Sequence, residues 1–333
     1  MRRNELQKLI QGAICTLPAP FDDDFHVDYG RMYELCVWLV DQGLATGNSV
    51  LKVAAAEGEG NQLADDEWPP LLHAVVRAAD GKVPVMCGIS HKDTFRTIED
   101  AKRAQDLRAV GIQVSPPIFN DPTQDDMLRH FEAISDAIEI GVMIYNTPWY
   151  SMNLAPMYGG RLFSIGNIYP DTFVKMADFE HIVAVKWAVP EEVEFEEMRK
   201  FVHIFNVLDN NTNLIRCHKL GGRGYIHTYN SAYPPHDLKI WELLESKQYD
   251  EAQKLYDSVK TPEAAAFRAK IGKRSGGLAR MKKGIMAVMG QPVGASRPPS
   301  LPLTDEEMDE LRKVVEGWGW PFPAAPTKDP VMV

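Results

Sequence analysis

Short apolar runs rich in β-branched residues alternate along the chain with longer stretches in which apolar residues return every three or four positions. The runs that read as strands are GAICTLPAP (12–20), SVLKVAA (49–55), VPVMCG (83–88), GIQVSP (111–116), GVMIYN (141–146), IVAVKW (182–187), IFNVLD (204–209) and GYIHTY (224–229). Between them, residues 29–43, 66–79, 94–111, 124–141 and 190–203 carry the spacing of amphipathic helices. Eight strands, most followed by a helix, predict a closed (β/α)8 barrel rather than an open doubly wound sheet. No GxGxxG follows the first strand, which removes the main support for a dinucleotide fold.

From about residue 235 the pattern is helical throughout: 236–259, then 277–290, then 304–318, where Thr304 and Glu307 have capping-box spacing. The expected organisation is thus a barrel over 1–234 and a C-terminal helical extension over 235–333. GQPVGASRPPSLPL (290–303) reads as a linker, and PFPAAPTKDPVMV (321–333) as a loosely held tail.

The formal charge of −10 and the lack of a long basic run exclude non-specific binding to nucleic acid or anionic membrane. No window approaches the roughly 20 apolar residues of a membrane span, and the N-terminus lacks the apolar core of a secretory signal. Cys15, Cys36, Cys87 and Cys217 are scattered without CxxC spacing and read as buried reduced thiols. Together these features predict a cytoplasmic protein.

In such a barrel, chemistry belongs at the carboxyl ends of the strands. That rule selects Tyr145 after strand five, Lys186 after strand six, Asp209 after strand seven, and Glu57 and Glu59 after strand two. Lys186 stands behind Ile182, Val183, Ala184 and Val185, in a collar where desolvation disfavours an ammonium. The resulting free amine can attack a carbonyl and form a Schiff base, an electron sink for an adjacent C–C bond, with a neighbouring phenol moving protons. The competing structural role is a lysine that snorkels to solvent and pairs with Glu191 or Glu192.

Several longer stretches, in order, extend this picture: GAICTLPAPFDDDFHVDYGRM, GEGNQLADDEW, the run from CGISHKDTF to PTQDDMLRHF, VMIYNTP, VAVKWA, LGGRGYIH and RPPSLPLTDEEMDEL. They resemble, in register and over nearly the whole chain, the dihydrodipicolinate synthase/N-acetylneuraminate lyase family. The resemblance implies that Lys186 is the Schiff-base lysine and Tyr145, in YNTP, the proton-relay tyrosine. It implies a homotetramer built from tight dimers, a small carbonyl substrate such as a 2-oxo acid, and neither metal nor organic cofactor. It places Ala56, Gly58, Phe119, Gly222 and His227 against substrate, beside Asp209, with tight turns and close barrel packing as the alternative for the glycines of GGRGYIH. His227 replaces the serine of the family's eighth-strand GxxGxIS.

The departures from the family pattern matter as much. Where the family reads GTTGE, whose hydroxyls and amides hold the carboxylate of pyruvate, this chain reads Ala55-Ala56-Glu57-Gly58-Glu59. Both hydroxyls are gone, and a carboxylate stands in the second threonine's place, a like charge beside a bound oxo acid. Glu57 is therefore expected to assist proton transfer or select substrate; its structural alternatives are a cap on the helix after ADDEW or a pair with Arg223. Glu59 matches the family's own glutamate and reads as a structural hydrogen-bonder. Ile118 and Phe119 replace two tyrosines of the synthases, which argues against dihydrodipicolinate synthase activity. An apolar wall including Phe119, Trp149 and Trp187 would suit the family's hydratase-aldolases on aromatic 2-oxo acids. An apparent insertion after strand five, WYSMNLAPMYGGRLFSIGNIYP, is a candidate lid or substrate loop, with a surface elaboration or an oligomer contact as the alternative. The rival readings are a catalytically silent carbonyl-binding homologue and a metal-dependent class II aldolase, for which no HxH or HxxxH ligand spacing occurs at strand ends.

Overall fold

The computed structural model describes residues 1–90, 92–120, 122–146, 167–188, 195–210, 213–277 and 279–322. Eight parallel strands, β1 (Gly12–Thr16), β2 (Ser49–Val53), β3 (Val85–Ser90), β4 (Gly111–Ser115), β5 (Gly141–Asn146), β6 (Ile182–Trp187), β7 (Asn206–Asp209) and β8 (Gly224–Ile226), close into one barrel. β1 pairs with β8 through Gly12, Ala13 and Ile14, so no edge remains open. The first run ends at Thr16 rather than residue 20, because Pro18 and Pro20 cannot continue a ladder of backbone donors.

Alternation decides what fills the barrel. Ile14, Val50, Met86, Met143, Ala184, Leu208 and Ile226 point inward and meet Leu6 and Ile10, carried by a helix over Arg3–Leu9 that the sequence reading did not single out. This plug closes the amino ends of the strands, and each such fully buried side chain is worth roughly 1.5–3 kcal/mol. The outward residues pack under helices Tyr29–Asp41, Trp68–Ala79, Thr94–Asp106 and Gln124–Ala137. The third of these stops short of residue 111 because Arg108 turns left-handed, with φ of 67°, to start the approach to β4. The helix expected over 190–203 is, in its described part, a 3-10 turn at Phe195–Lys200.

The eighth barrel helix, Pro234–Glu245, packs on Ala13 and Tyr225, and the Tyr225 hydroxyl donates to the Asp237 carbonyl at 2.7 Å. The expected division at 234/235 falls at the start of this helix. The long helix expected over 236–259 breaks at Lys247, whose φ of 58° separates it from Tyr249–Asp257. Helices Pro262–Arg274, Arg280–Val288 and Asp305–Gly317 complete the chain, the last with the expected Thr304/Glu307 capping box. The tail beyond residue 322 and the insertion through residue 166 lie outside the described residues, as does Trp149. All four cysteines are free and buried, and no helix among the described residues is long and apolar enough to cross a membrane.

Candidate active site

Tyr145 and Lys186 are register partners on β5 and β6, so both point into the barrel at its carboxyl end. The Lys186 Nζ lies 3.5 Å from the centre of the Tyr145 ring and makes no hydrogen bond among the described residues. Every residue of β6 is buried, and that desolvation pulls the Lys186 amine down to about 8; Glu57 opposes the shift and Lys282 adds to it. The structure thus brings together the amine and the phenol, the latter with further partners of its own.

The loop after β2 reaches over this pair. Ala54 and Glu59 are left-handed, with φ of 56° and 62°, and bracket a 3-10 turn at Ala56–Gly58. Two glycines allow that path: a Cβ on Gly58 would sit 2.2 Å from the Leu17 carbonyl oxygen, and one on Gly60 would sit 1.8 Å from that of Ala54. The Gly58 N–H donates to Ala55 and its carbonyl accepts from Ala19, so Gly58 is committed to docking the loop on the segment that follows β1. Glu59 is anchored by a buried ion pair to Lys283 at 2.6 Å, as a structural role predicts.

Ala56 and Glu57 form the accessible part of the turn. The Glu57 carboxylate is partly buried and makes neither hydrogen bond nor ion pair among the described residues. Burial alone would raise it, but Lys282, Lys186 and Lys52 together outweigh burial and hold it below the usual glutamate range. Neither structural alternative for Glu57 is realised. Arg223 is at the other end of the barrel, bonded to Glu245 and Gln11, and Glu67 occupies the start of helix Trp68–Ala79 while pairing with Arg297.

Two buried amines beside Lys186 were not anticipated. Lys52 stands on β2, inward, and donates to Gln113 Oε1 at 2.8 Å; burial and the neighbouring Lys186 push it well below the usual lysine range. A lysine inside the apolar run SVLKVAA carries the same sequence signal as Lys186. Lys282 comes from helix Arg280–Val288 and donates to the Thr16 carbonyl at 3.1 Å, at the carboxyl end of β1. No local signal marks Lys282: the sequence pattern of its helix is ordinary, although eight of its nine residues are buried in the fold.

Other expected positions separate. Asp209 ends β7 facing outward, in register with Trp187, and its Oδ1 accepts the Asn213 N–H at 2.9 Å. Trp187 is not part of a site wall: it packs outward against Phe173 and Phe201, with its indole N–H on the Phe195 carbonyl. Gly222 precedes β8, at the amino ends of the strands, where a Cβ would lie 2.4 Å from Cys217 Sγ; close packing, not substrate, accounts for it. Phe119 stands in the turn Ile118–Asn120 after β4, with its side chain outside the described residues.

His227 follows β8 at the mouth end, but its Nδ1 turns to Asp237 at 3.0 Å behind the wall. With His236, whose Nδ1 is 3.5 Å from the same carboxylate, these residues form a buried group of metal-ligand type. His236 Nε2 is held by the Leu255 carbonyl at 3.0 Å. Burial favours the neutral Asp237, but the two imidazoles outweigh it and keep the carboxylate ionised far below its usual range. His227 Nδ1 and His236 Nε2 are held by hydrogen bonds, while His236 Nδ1 has no hydrogen-bond partner among the described residues.

The family model for the dihydrodipicolinate synthetase family matches residues 9–317. The chain is 28% identical to 4-hydroxy-tetrahydrodipicolinate synthase 1 of Halalkalibacterium halodurans, over 91% of this chain and 95% of the relative. A crystal structure of dihydrodipicolinate synthase from Bacillus anthracis superposes with a TM-score of 0.75 at 26% identity, covering 92% of this chain and 98% of that one. The dihydrodipicolinate synthase of Acinetobacter baumannii, solved with pyruvate, gives a TM-score of 0.77 at 23% identity, over 93% and 99% of the two chains.

Proposed function

The chain belongs to the dihydrodipicolinate synthetase family and is a lyase of the aldolase type, and from that premise we propose that Lys186 forms an imine with a 2-oxo acid or related carbonyl substrate. The observation that carries this reading is the desolvated, unbonded Lys186 amine held 3.5 Å over the Tyr145 ring. The neutral amine attacks the carbonyl carbon, the carbinolamine takes up a proton and loses water, and a protonated imine remains on Nζ. In aldol cleavage the substrate hydroxyl gives up its proton, the adjacent C–C bond breaks, and its electron pair passes into the iminium to leave an enamine. Protonation of that carbon and hydrolysis release the product and restore the amine. Condensation is the reverse; dehydration removes a Cα proton and expels the β-hydroxyl as water.

Tyr145 is the proton carrier in this scheme and Glu57 its assistant, or the group that selects the substrate. Ala56 and Phe119 border the substrate. No metal or organic cofactor enters the proposed chemistry, and a homotetramer is its expected assembly. Formation of dihydrodipicolinate itself is not the proposed reaction, because Ala55-Ala56-Glu57 offers no hydroxyl and Ile118-Phe119 no phenol. The same imine would serve a hydratase-aldolase on a hydrophobic 2-oxo acid; with Trp187 turned outward, that variant rests on Ile118 and Phe119.

Borohydride added with pyruvate and a panel of 2-oxo acids tests the reading. A stable mass increment on the peptide containing Lys186, lost in Lys186→Ala, is expected. Turnover undiminished in Lys186→Ala would refute the imine, and trapping without turnover of any carbonyl compound would favour a silent binding homologue.

A further inference from the structure

The mouth is rich in donors and poor in acceptors. Lys186, Lys52 and Lys282 are all buried there, and Glu57 is the one unpaired carboxylate among the described residues that acts on all three. An ammonium has three N–H donors. Lys282 uses one, on the Thr16 carbonyl, and meets no other acceptor among the described residues. Lys52 is already engaged by Gln113 and sits against a second amine, so it is the group least able to hold a proton. Lys186 must be a free amine to react. Burial lowers Lys282 as well, but Glu57 opposes that shift most, as Lys282 is the strongest influence holding Glu57 down, and the Thr16 carbonyl accepts from its ammonium at 3.1 Å; Lys282 is therefore the cation best placed to stay charged.

Building on the Schiff-base reading, we propose that Lys282, brought to the β1 end by the C-terminal extension, is the group that binds the substrate carboxylate, in place of the missing threonine hydroxyls. Charge counting supports the assignment. Before reaction, Lys282 and Glu57 balance each other and Lys186 is neutral. The imine adds one positive charge and the substrate carboxylate one negative, so the occupied site holds two of each. Without a carboxylate the iminium would be an uncompensated buried charge. The apparent conflict between Glu57 and an oxo acid disappears, because the carboxylate meets Lys282 and the iminium as well as Glu57. The arrangement selects 2-oxo acids over neutral ketones and aldehydes. Lys283, the next residue, cannot take this role: its ammonium is used by Glu59 and by the Ala295 carbonyl at 3.1 Å.

Calorimetric titration of pyruvate and of its neutral isostere pyruvamide into the full-length protein, Lys282→Met and Lys52→Met provides the test. Methionine keeps most of the lysine stem and removes the ammonium with its charge and donors, and thermal melts verify folding. Pyruvate affinity is expected to fall roughly ten- to hundredfold further than pyruvamide affinity in Lys282→Met, the loss of a charge-assisted hydrogen bond, any smaller loss common to both reporting the Lys186 amine, which Lys282 helps to hold down. Unchanged pyruvate affinity, an equal loss of pyruvamide, a loss confined to Lys52→Met, or no pyruvate binding by the parent protein would each overturn the assignment. Borohydride trapping on the same samples separates the two ideas: carboxylate-selective binding without a Lys186 adduct refutes the imine and leaves Lys282 as the carboxylate site.

Discussion

Removing the Glu57 charge should make Lys186 a better nucleophile at neutral pH. With its amine at about 8, Lys186 is neutral in about a tenth of molecules at pH 7. Glu57 is the largest influence that raises Lys186, so Glu57→Gln withdraws support from the ammonium and the amine titrates lower. Opposite charges separated beyond direct contact attract by roughly 2–3 kcal/mol at an effective dielectric of about 20. Solvent screening of the partly exposed carboxylate cuts this by about half, to about one pKa unit. The neutral fraction at pH 7 then rises from about a tenth to about a half. The assay is the initial rate of borohydride-trapped imine formation with pyruvamide, kept far below saturation so that carboxylate binding plays no part, over pH 6–9. The half-maximal pH should move down by about one unit, with a roughly fivefold faster rate at pH 7 and a converged plateau at high pH. An unmoved midpoint, or one moved upward, would refute the electrostatic coupling between loop and lysine.

Two further outcomes test neighbouring parts of the site. Tyr145→Phe keeps the ring under the Lys186 amine, so trapping should persist while steady-state turnover falls by about 10²–10⁴; equal loss of both would make the tyrosine a positioning residue. Lys283→Met strands the buried Glu59 carboxylate and should cost about 3–5 kcal/mol in urea unfolding. The double substitution with Glu59→Gln should recover most of that loss, and failure to recover would show that the pair does not anchor the loop.

The barrel was legible in the chain because its strands are buried on both faces and its helices on one, and these two demands write different periods into the sequence. Lys186 and Tyr145 were legible for a related reason: a polar group at the end of an apolar run must face the mouth or be expelled. The same logic reached Glu57, and would have reached Lys52. It failed at Trp187, Asp209 and Gly222, because a strand end specifies a level along the barrel axis while alternation and register decide which side of the wall a side chain takes. Trp187 and Asp209 lie one residue past inward positions on β6 and β7, and Gly222 lies at the wrong end of β8.

His227 shows the same limit, since its imidazole finds Asp237 on a helix that only the closed barrel brings alongside. Lys282 was beyond any local reading. It is more than two hundred and sixty positions from Thr16 in sequence, in a helix of ordinary pattern, and its burial follows from how the C-terminal extension docks. The chain by itself therefore determined the fold and the candidate amine, both of which depend on local periodicity and the cost of burying charge. Tertiary structure alone decided the charge balance around that amine, because Coulomb interactions depend on distance in space and not on separation along the chain.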